Sequence, residues 1–138
     1  MANAVVITIT MTKTKFAFYI SLLLLTSCAT TLRTDLYFGL SIPGGGNVSA
    51  SQWQQFSDSI VSPKFPEGYT EGNVSGKWRD TETHVTITEH TKVLTFIGKK
   101  TKMRQSNLDS LIQFYKRQYQ QQAVLRTDAR VRLRLVKQ

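Results

Sequence analysis

The chain has 138 residues and a net charge of +9, from 18 Lys and Arg against 9 Asp and Glu, with 41% of its residues hydrophobic and 20% charged. Such a length holds one domain, and such a balance excludes a disordered tail, a collagen-like chain and a polytopic membrane protein. Its single cysteine rules out a disulfide framework, and its basic surplus raises either nucleic acid or an anionic surface as partner, a choice the compartment decides.

The first thirty residues bear on that compartment. Lys13 and Lys15 stand before an apolar run of ten residues, Phe16–Leu25, and Thr26, Ser27 and Cys28 follow it. A charged segment, a short apolar core and small residues make an export signal, and the run is half the ~20 residues that a spanning helix needs. Leu25-Thr26-Ser27-Cys28 resembles the bacterial lipobox. That resemblance implies alkylation of the Cys28 thiol by a diacylglyceryl group, cleavage just before it and acylation of the freed amine. Several chains anchor a protein where a single one binds only reversibly. The expected division is a signal peptide over 1–27, a tether over 28–31 and one domain over 32–138. Ala29 replaces the Asp typical of lipoproteins kept in the inner membrane, which by the same analogy implies the periplasmic face of the outer membrane in a cell with two membranes. Met1–Thr10 carries no charge whereas Met11–Lys15 has the usual pattern, so translation is expected to begin at Met11. Losing residues 1–27 of the 138 leaves 111, and without Lys13 and Lys15 the 18 basic residues become 16 against 9 acidic, a net +7.

In the mature chain Leu32, Leu36, Phe38 and Leu40 alternate with polar neighbours, the period of a strand with one buried face, and Pro43–Asn47 ends it. The three glycines there lack the spacing of a phosphate loop and read as a connector. Ser49 and Gln52 form a capping-box pattern before Trp53, Phe56 and Ile60, and this helix is expected to stop before Pro63. Tyr69–Arg79 reads as a second strand, Asp80–Thr83 as a reversal, and His84–Ile97 as a third strand long enough to suggest a bulge near Glu89 and His90. A basic loop, Lys99–Lys102, leads to a helix capped by Ser106 and carrying Leu108, Leu111, Ile112, Tyr115 and Tyr119 on one face. Val131, Leu133 and Leu135, alternating with Arg130, Arg132 and Arg134, predict the closing strand.

The order β-α-β-β-α-β is that of an α+β, ferredoxin-like sandwich: a four-stranded antiparallel sheet with two helices on one face and the other face open. The sequence Leu36–Ser41, Trp53–Phe56, Pro63–Gly68, Gly76–Arg79 and Thr91–Leu94, in that order, resembles the uncharacterised bacterial family catalogued as domain of unknown function 3574, over about Arg33 to Val136. The resemblance implies a secreted, often lipid-anchored small domain and supplies no activity.

Strand parity nominates a site. With the even residues of the first strand buried, Asp35 and Tyr37 point outward. Taking Val74, Trp78, Val85 and Ile87 as buried turns Lys77, Arg79, His84, Thr86, Thr88, His90 and Lys92 outward as well. With Arg130, Arg132 and Arg134 this predicts a cationic open face. On it Tyr37, Arg79, Glu89 and Lys92 are the candidate ligand-binding residues, Arg79 as a bidentate donor to carboxylate or phosphate. A solvated antiparallel face accounts for the same pattern without any ligand. Leu94 and Phe96 share the parity of Lys92 and would add an apolar patch suited to a lipid-like molecule or a second copy, unless a bulge near Glu89 buries them. His84, His90 and Glu89 are too few and too far apart in sequence for a metal site, so none is expected. No nucleophile elbow or spaced carboxylate pair occurs, which argues against an enzyme, and no cofactor is expected. Export argues against nucleic acid, and the positive charge suits anionic lipid, with Lys99–Arg104 able to touch it. The expected protein is thus a lipid-anchored cell-envelope domain that binds or assembles through its open face, with the membrane and a second copy as partners. The alternative is a cofactor-independent small-molecule enzyme of the dimeric α/β-barrel type, by fold analogy alone.

Overall fold

The computed structural model describes residues 30–137, so the expected signal sequence, the expected start at Met11 and the expected lipid attachment at Cys28 lie outside the described residues. The elements in chain order are β1 (Thr31–Gly39), α1 (Ala50–Phe56), a π turn (Ser57–Val61), a 3₁₀ turn (Ser62–Lys64), β2 (Thr70–Arg79), β3 (Thr86–Lys99), α2 (Lys102–Gln118) and β4 (Leu125–Arg130). The strands form one sheet in the order β2-β3-β1-β4, every neighbouring pair antiparallel. This is the ferredoxin-like α+β architecture that the order of elements predicts.

The capping box forms as expected. Gln52 donates its backbone N–H to Ser49 Oγ at 3.2 Å, and Gln52 Oε1 accepts from the Ser49 N–H at 2.8 Å. The helix does not run regularly to Pro63. It is α-helical for seven residues and then widens into the π turn, where Ser62 Oγ donates to Ser57 O at 3.0 Å. Pro63, which has no N–H, sits in the 3₁₀ turn that follows. The altered pitch keeps Phe56, Val61 and Phe65 all buried.

The second helix starts one turn before Ser106. Thr101 is its cap, accepting the Arg104 N–H on Oγ1 at 3.1 Å, and Lys102, Met103 and Arg104 form its first turn. Basic residues there oppose the helix dipole, which is why the run reads as a loop in sequence. Leu108, Leu111, Tyr115 and Tyr119 then fall on the buried stripe, as their spacing predicts.

These helices cover Leu36, Phe38, Leu94 and Phe96 on one sheet face. Phe38 lies at the centre, its ring 4.7 Å from Tyr115 and 5.6 Å from both Trp53 and Phe56 in edge-on contacts. The Tyr115 hydroxyl donates to Gly39 O at 2.8 Å, and burial pushes its phenol far above the ordinary value.

β3 runs without a bulge: Thr70 faces Thr95 and Arg79 faces Thr86 in one continuous register, and β1 pairs with β3 from Thr31–Lys99 to Gly39–Thr91. The closing strand is displaced. It forms over Leu125–Arg130 instead of Arg130–Leu135, and Leu133, Leu135 and Val136 are exposed beyond it. Val131 still donates its N–H to Thr31 O at 3.1 Å, at the first residue of β1. What places β4 earlier is its partners: Thr34 Oγ1 donates to Asp128 Oδ1 at 2.5 Å, and Arg126 reaches Asp109 of α2 at 3.1 Å.

Candidate binding face

Residues opposite one another in a ladder share a face, so the register fixes every side chain from one known position. Leu36 is buried and faces Leu94; Leu94 and Phe96 are therefore on the helix side, with no bulge required. Two residues along, Lys92 faces Phe38, and it too is on the helix side. Lys92 Nζ donates to Glu71 Oε1 at 2.7 Å and lies 5.5 Å from the centre of the Trp53 ring, whose Nε1 donates to the same oxygen at 2.8 Å.

The predicted orientation of the β2–β3 hairpin is therefore inverted. Lys77, Arg79, Thr86, Thr88 and His90 follow Lys92 onto the helix side, and Val74, Trp78 and Ile87 stand on the open face, 38%, 51% and 37% exposed. Arg130 pairs with Leu32 and also leaves the open face, while Arg132 and Arg134 lie beyond the strand. The expected cationic face is replaced by an apolar one made of Tyr37, Val74, Trp78, Ile87, Val93, Ile97 and Leu125. Register decides this where composition misleads, because the hairpin extends past the helices and its apolar side needs no core to face.

Of the four candidate residues, the structure brings Tyr37 and Glu89 together on this face. Arg79 lies at the hairpin end of the other face and donates from Nε to His84 O at 3.2 Å, and Lys92 is held in its ion pair. The Glu89 carboxylate rests over Gly39: a Cβ there would collide with Glu89 Oε1, so the absent side chain makes its room. Beside it, Tyr37, Gly39, Val74, Ser75, Gly76, Thr91 and Leu125 line an open depression of about 410 Å³. Small residues on β1 and β2 make the hollow, a signal that the glycines of the two strands carried in the sequence. At the other end of the face Arg33 Nε donates to both oxygens of Asp35 at 3.0 Å, and Thr95 Oγ1 donates to Asp35 Oδ1 at 2.6 Å.

The hairpin is closed by Asp80, whose Oδ1 accepts from the Thr83 N–H at 2.7 Å, Thr83 Oγ1 at 2.8 Å and the Glu82 N–H at 3.1 Å. The bonds from Thr83 hold the Asp80 carboxyl below its ordinary value. His84 follows with φ at 55°, and His90 is on the helix side, so the two do not converge. Among the described residues no group of three His, Cys, Asp or Glu is placed to hold a metal ion, and no helix is long and apolar enough to cross a membrane.

A phage SAM lyase in complex with S-methyl-5′-thioadenosine is similar in structure, with a TM-score of 0.54 at 12% identity, over 72% of this chain and 81% of that one. The same lyase in its apo state matches equally, with a TM-score of 0.54 at 12% identity over 73% and 81%. CutA from Synechococcus elongatus aligns with a TM-score of 0.47 at 12% identity over 75% and 78%. At this identity the likeness to the lyase is one of fold. No curated protein matches the chain in sequence. The family described as protein of unknown function (DUF3574) matches residues 33–135, and the chain belongs to that family.

Proposed function

We propose that the protein is a lipid-anchored domain of the cell envelope, exported and held through Cys28, that assembles through its open sheet face with a second copy of itself. The outer-membrane location follows from the same lipobox analogy. The observation that carries the assembly reading is the band of Tyr37, Val74, Trp78, Val93 and Leu125 across adjacent strands, since contiguous exposed apolar surface marks interaction sites. Charge supports it: Arg33 and Asp35 neutralise each other, leaving Glu89 as the face's lone carboxylate beside the hollow. Geometry supports it too. A two-fold axis parallel to β1 stacks two open faces while keeping both chain starts at the same end, as two anchors in one membrane require.

Sedimentation of the full chain in a nonionic detergent tests this. A dimer is expected, and Leu125→Asp, at a 61% exposed position, is expected to convert it to monomer without unfolding it. A wild-type monomer at all concentrations overturns the assembly reading. For the anchor, Cys28→Ser is expected to lose both acyl mass and membrane partition; retention of both overturns it.

A further inference from the structure

The opposite edge of the domain holds a cavity of about 500 Å³ between the Lys64–Glu67 turn and the start of α2, with Lys64, Glu67, Lys99, Thr101, Arg104 and Asn107 in its wall. Arg104 is 8% exposed, an unusual state for a guanidinium. Its Nη1 donates to Glu67 Oε1 at 2.5 Å, and its Cζ lies 5.4 Å from the Phe65 ring centre. Gly98 makes its space, for a Cβ there would fall 2.7 Å from Nη1. Nε and Nη2 of Arg104 are buried with no partner among the described residues.

Those two nitrogens form one edge of the guanidinium, the fork that a phosphate or carboxylate engages with two parallel bonds. Three further features favour an anion in the same place. The first turn of α2 contains no acidic residue, so the positive end of its dipole is uncompensated. The N–H groups of Lys102 and Met103, which open the helix, have no carbonyl four residues back within it. Lys99, in the cavity wall, and Lys102, which opens the helix, are exposed. Against these stands one carboxylate, Glu67, whose side chain is 49% exposed and which engages Nη1, leaving the Nε–Nη2 edge to another acceptor.

We infer that this cavity is a phosphate site, in which a phosphate group takes Nε and Nη2 of Arg104 as donors while Glu67 keeps Nη1, with the opening N–H groups of α2 and Lys99 completing its shell. The phosphate belongs to a lipid headgroup or to a soluble phosphomonoester. Position favours the lipid, a preference that rests on the proposed anchor: Lys99 pairs with Thr31, and Lys100 donates its N–H to Thr30 O at 3.1 Å. Thr31 is three residues from Cys28, a span of about 10 Å.

The test uses the full chain in nonionic micelles, following the amide signals of Lys102 and Met103. One arm adds inorganic phosphate and the other dopes the micelles with phosphatidic acid. Saturable shifts are expected in both. Arg104→Lys is expected to weaken binding about tenfold through loss of the fork. Glu67→Gln, which removes the neighbouring negative charge, is expected to tighten it about threefold. Should Arg104→Lys fail to fold, Glu67→Gln and the exposed Lys99→Gln, expected to weaken binding, decide the matter. Shifts with phosphate alone assign a soluble phosphomonoester and remove the lipid source. No shift in either arm, or unaltered affinity in Glu67→Gln, overturns the site. Absence of acyl mass at Cys28 would overturn the anchor while leaving a phosphate response intact.

Discussion

The two faces of the sheet are built from the same strands and carry comparable side chains, yet meet opposite fates. On the covered face Leu36, Phe38, Leu94 and Phe96 are fully buried beneath two helices. On the other, Val74, Trp78, Ile87 and Leu125 alternate with them across the same ladders and remain exposed. The difference teaches that apolar character along a strand reports the existence of a face, not which face. The assignment comes from the partner strand, through register.

The contrast can be broken from either side. Phe38→Ala removes a ring in edge-on contact with three others and is expected to cost about 3–5 kcal/mol in urea unfolding. A loss under 1 kcal/mol would mean that the covered face tolerates collapse as an open one does. Alkali probes the same side. Tyr115, and Tyr119 beside it, have phenols raised by burial, so the folded state holds protons that the unfolded chain releases above pH 10. Stability contributed by Tyr115 is therefore intact below that pH and falls above it by up to about 1.4 kcal/mol per pH unit. Tyr115→Phe is expected to flatten part of that slope in denaturation curves taken between pH 9 and 11, and an unchanged slope would refute the assignment. The smallest effect sharpens the comparison: Val74→Ala is expected to change the unfolding free energy of the monomer by no more than about 0.5 kcal/mol. A larger, concentration-dependent loss would place Val74 inside an assembled interface.

Much of the fold was legible because it rests on local rules. Ser49 and Gln52 announce their helix, Asp80 and Thr83 their reversal, and Leu108 to Tyr119 their buried stripe. Three features were hidden, each decided by contacts far away in sequence. The start of α2 is masked by Lys102 and Arg104, whose charges are tolerated because Arg104 is buried against Glu67 and Phe65. β4 is Leu125–Arg130, poor in β-branched residues, and is selected by Thr34 and α2 over the better strand formers at 131–136. The orientation of the hairpin depended on a register with β1 that no residue of the hairpin encodes alone. For the candidate site, parity places Tyr37 on the open face, whereas Arg79 and Lys92 are drawn in by that same inverted orientation, and Glu89, named as their neighbour, reaches the open face only because the hairpin is inverted. Arg104 was named only as part of a basic run, since its burial comes from Gly98 and Phe65 on other elements.

The antiparallel course of β3 separates two ends of the molecule. From Thr86 to Lys99 its 14 residues extend some four nanometres, at about 3.4 Å each. Lys99, Arg130 and the first residue of β1 share one extremity, and the Asp80 reversal, with Trp78 and Ile87 close behind, forms the other. Under the proposed anchor at Cys28 this would make a mast, its basic foot at the end nearer the anchor and its greasy tip at the end away from it. On that proposal a partner of Trp78 would meet it away from the anchor, and lengthening the three-residue link before Thr31 would lift the foot while leaving the chemistry of the tip untouched.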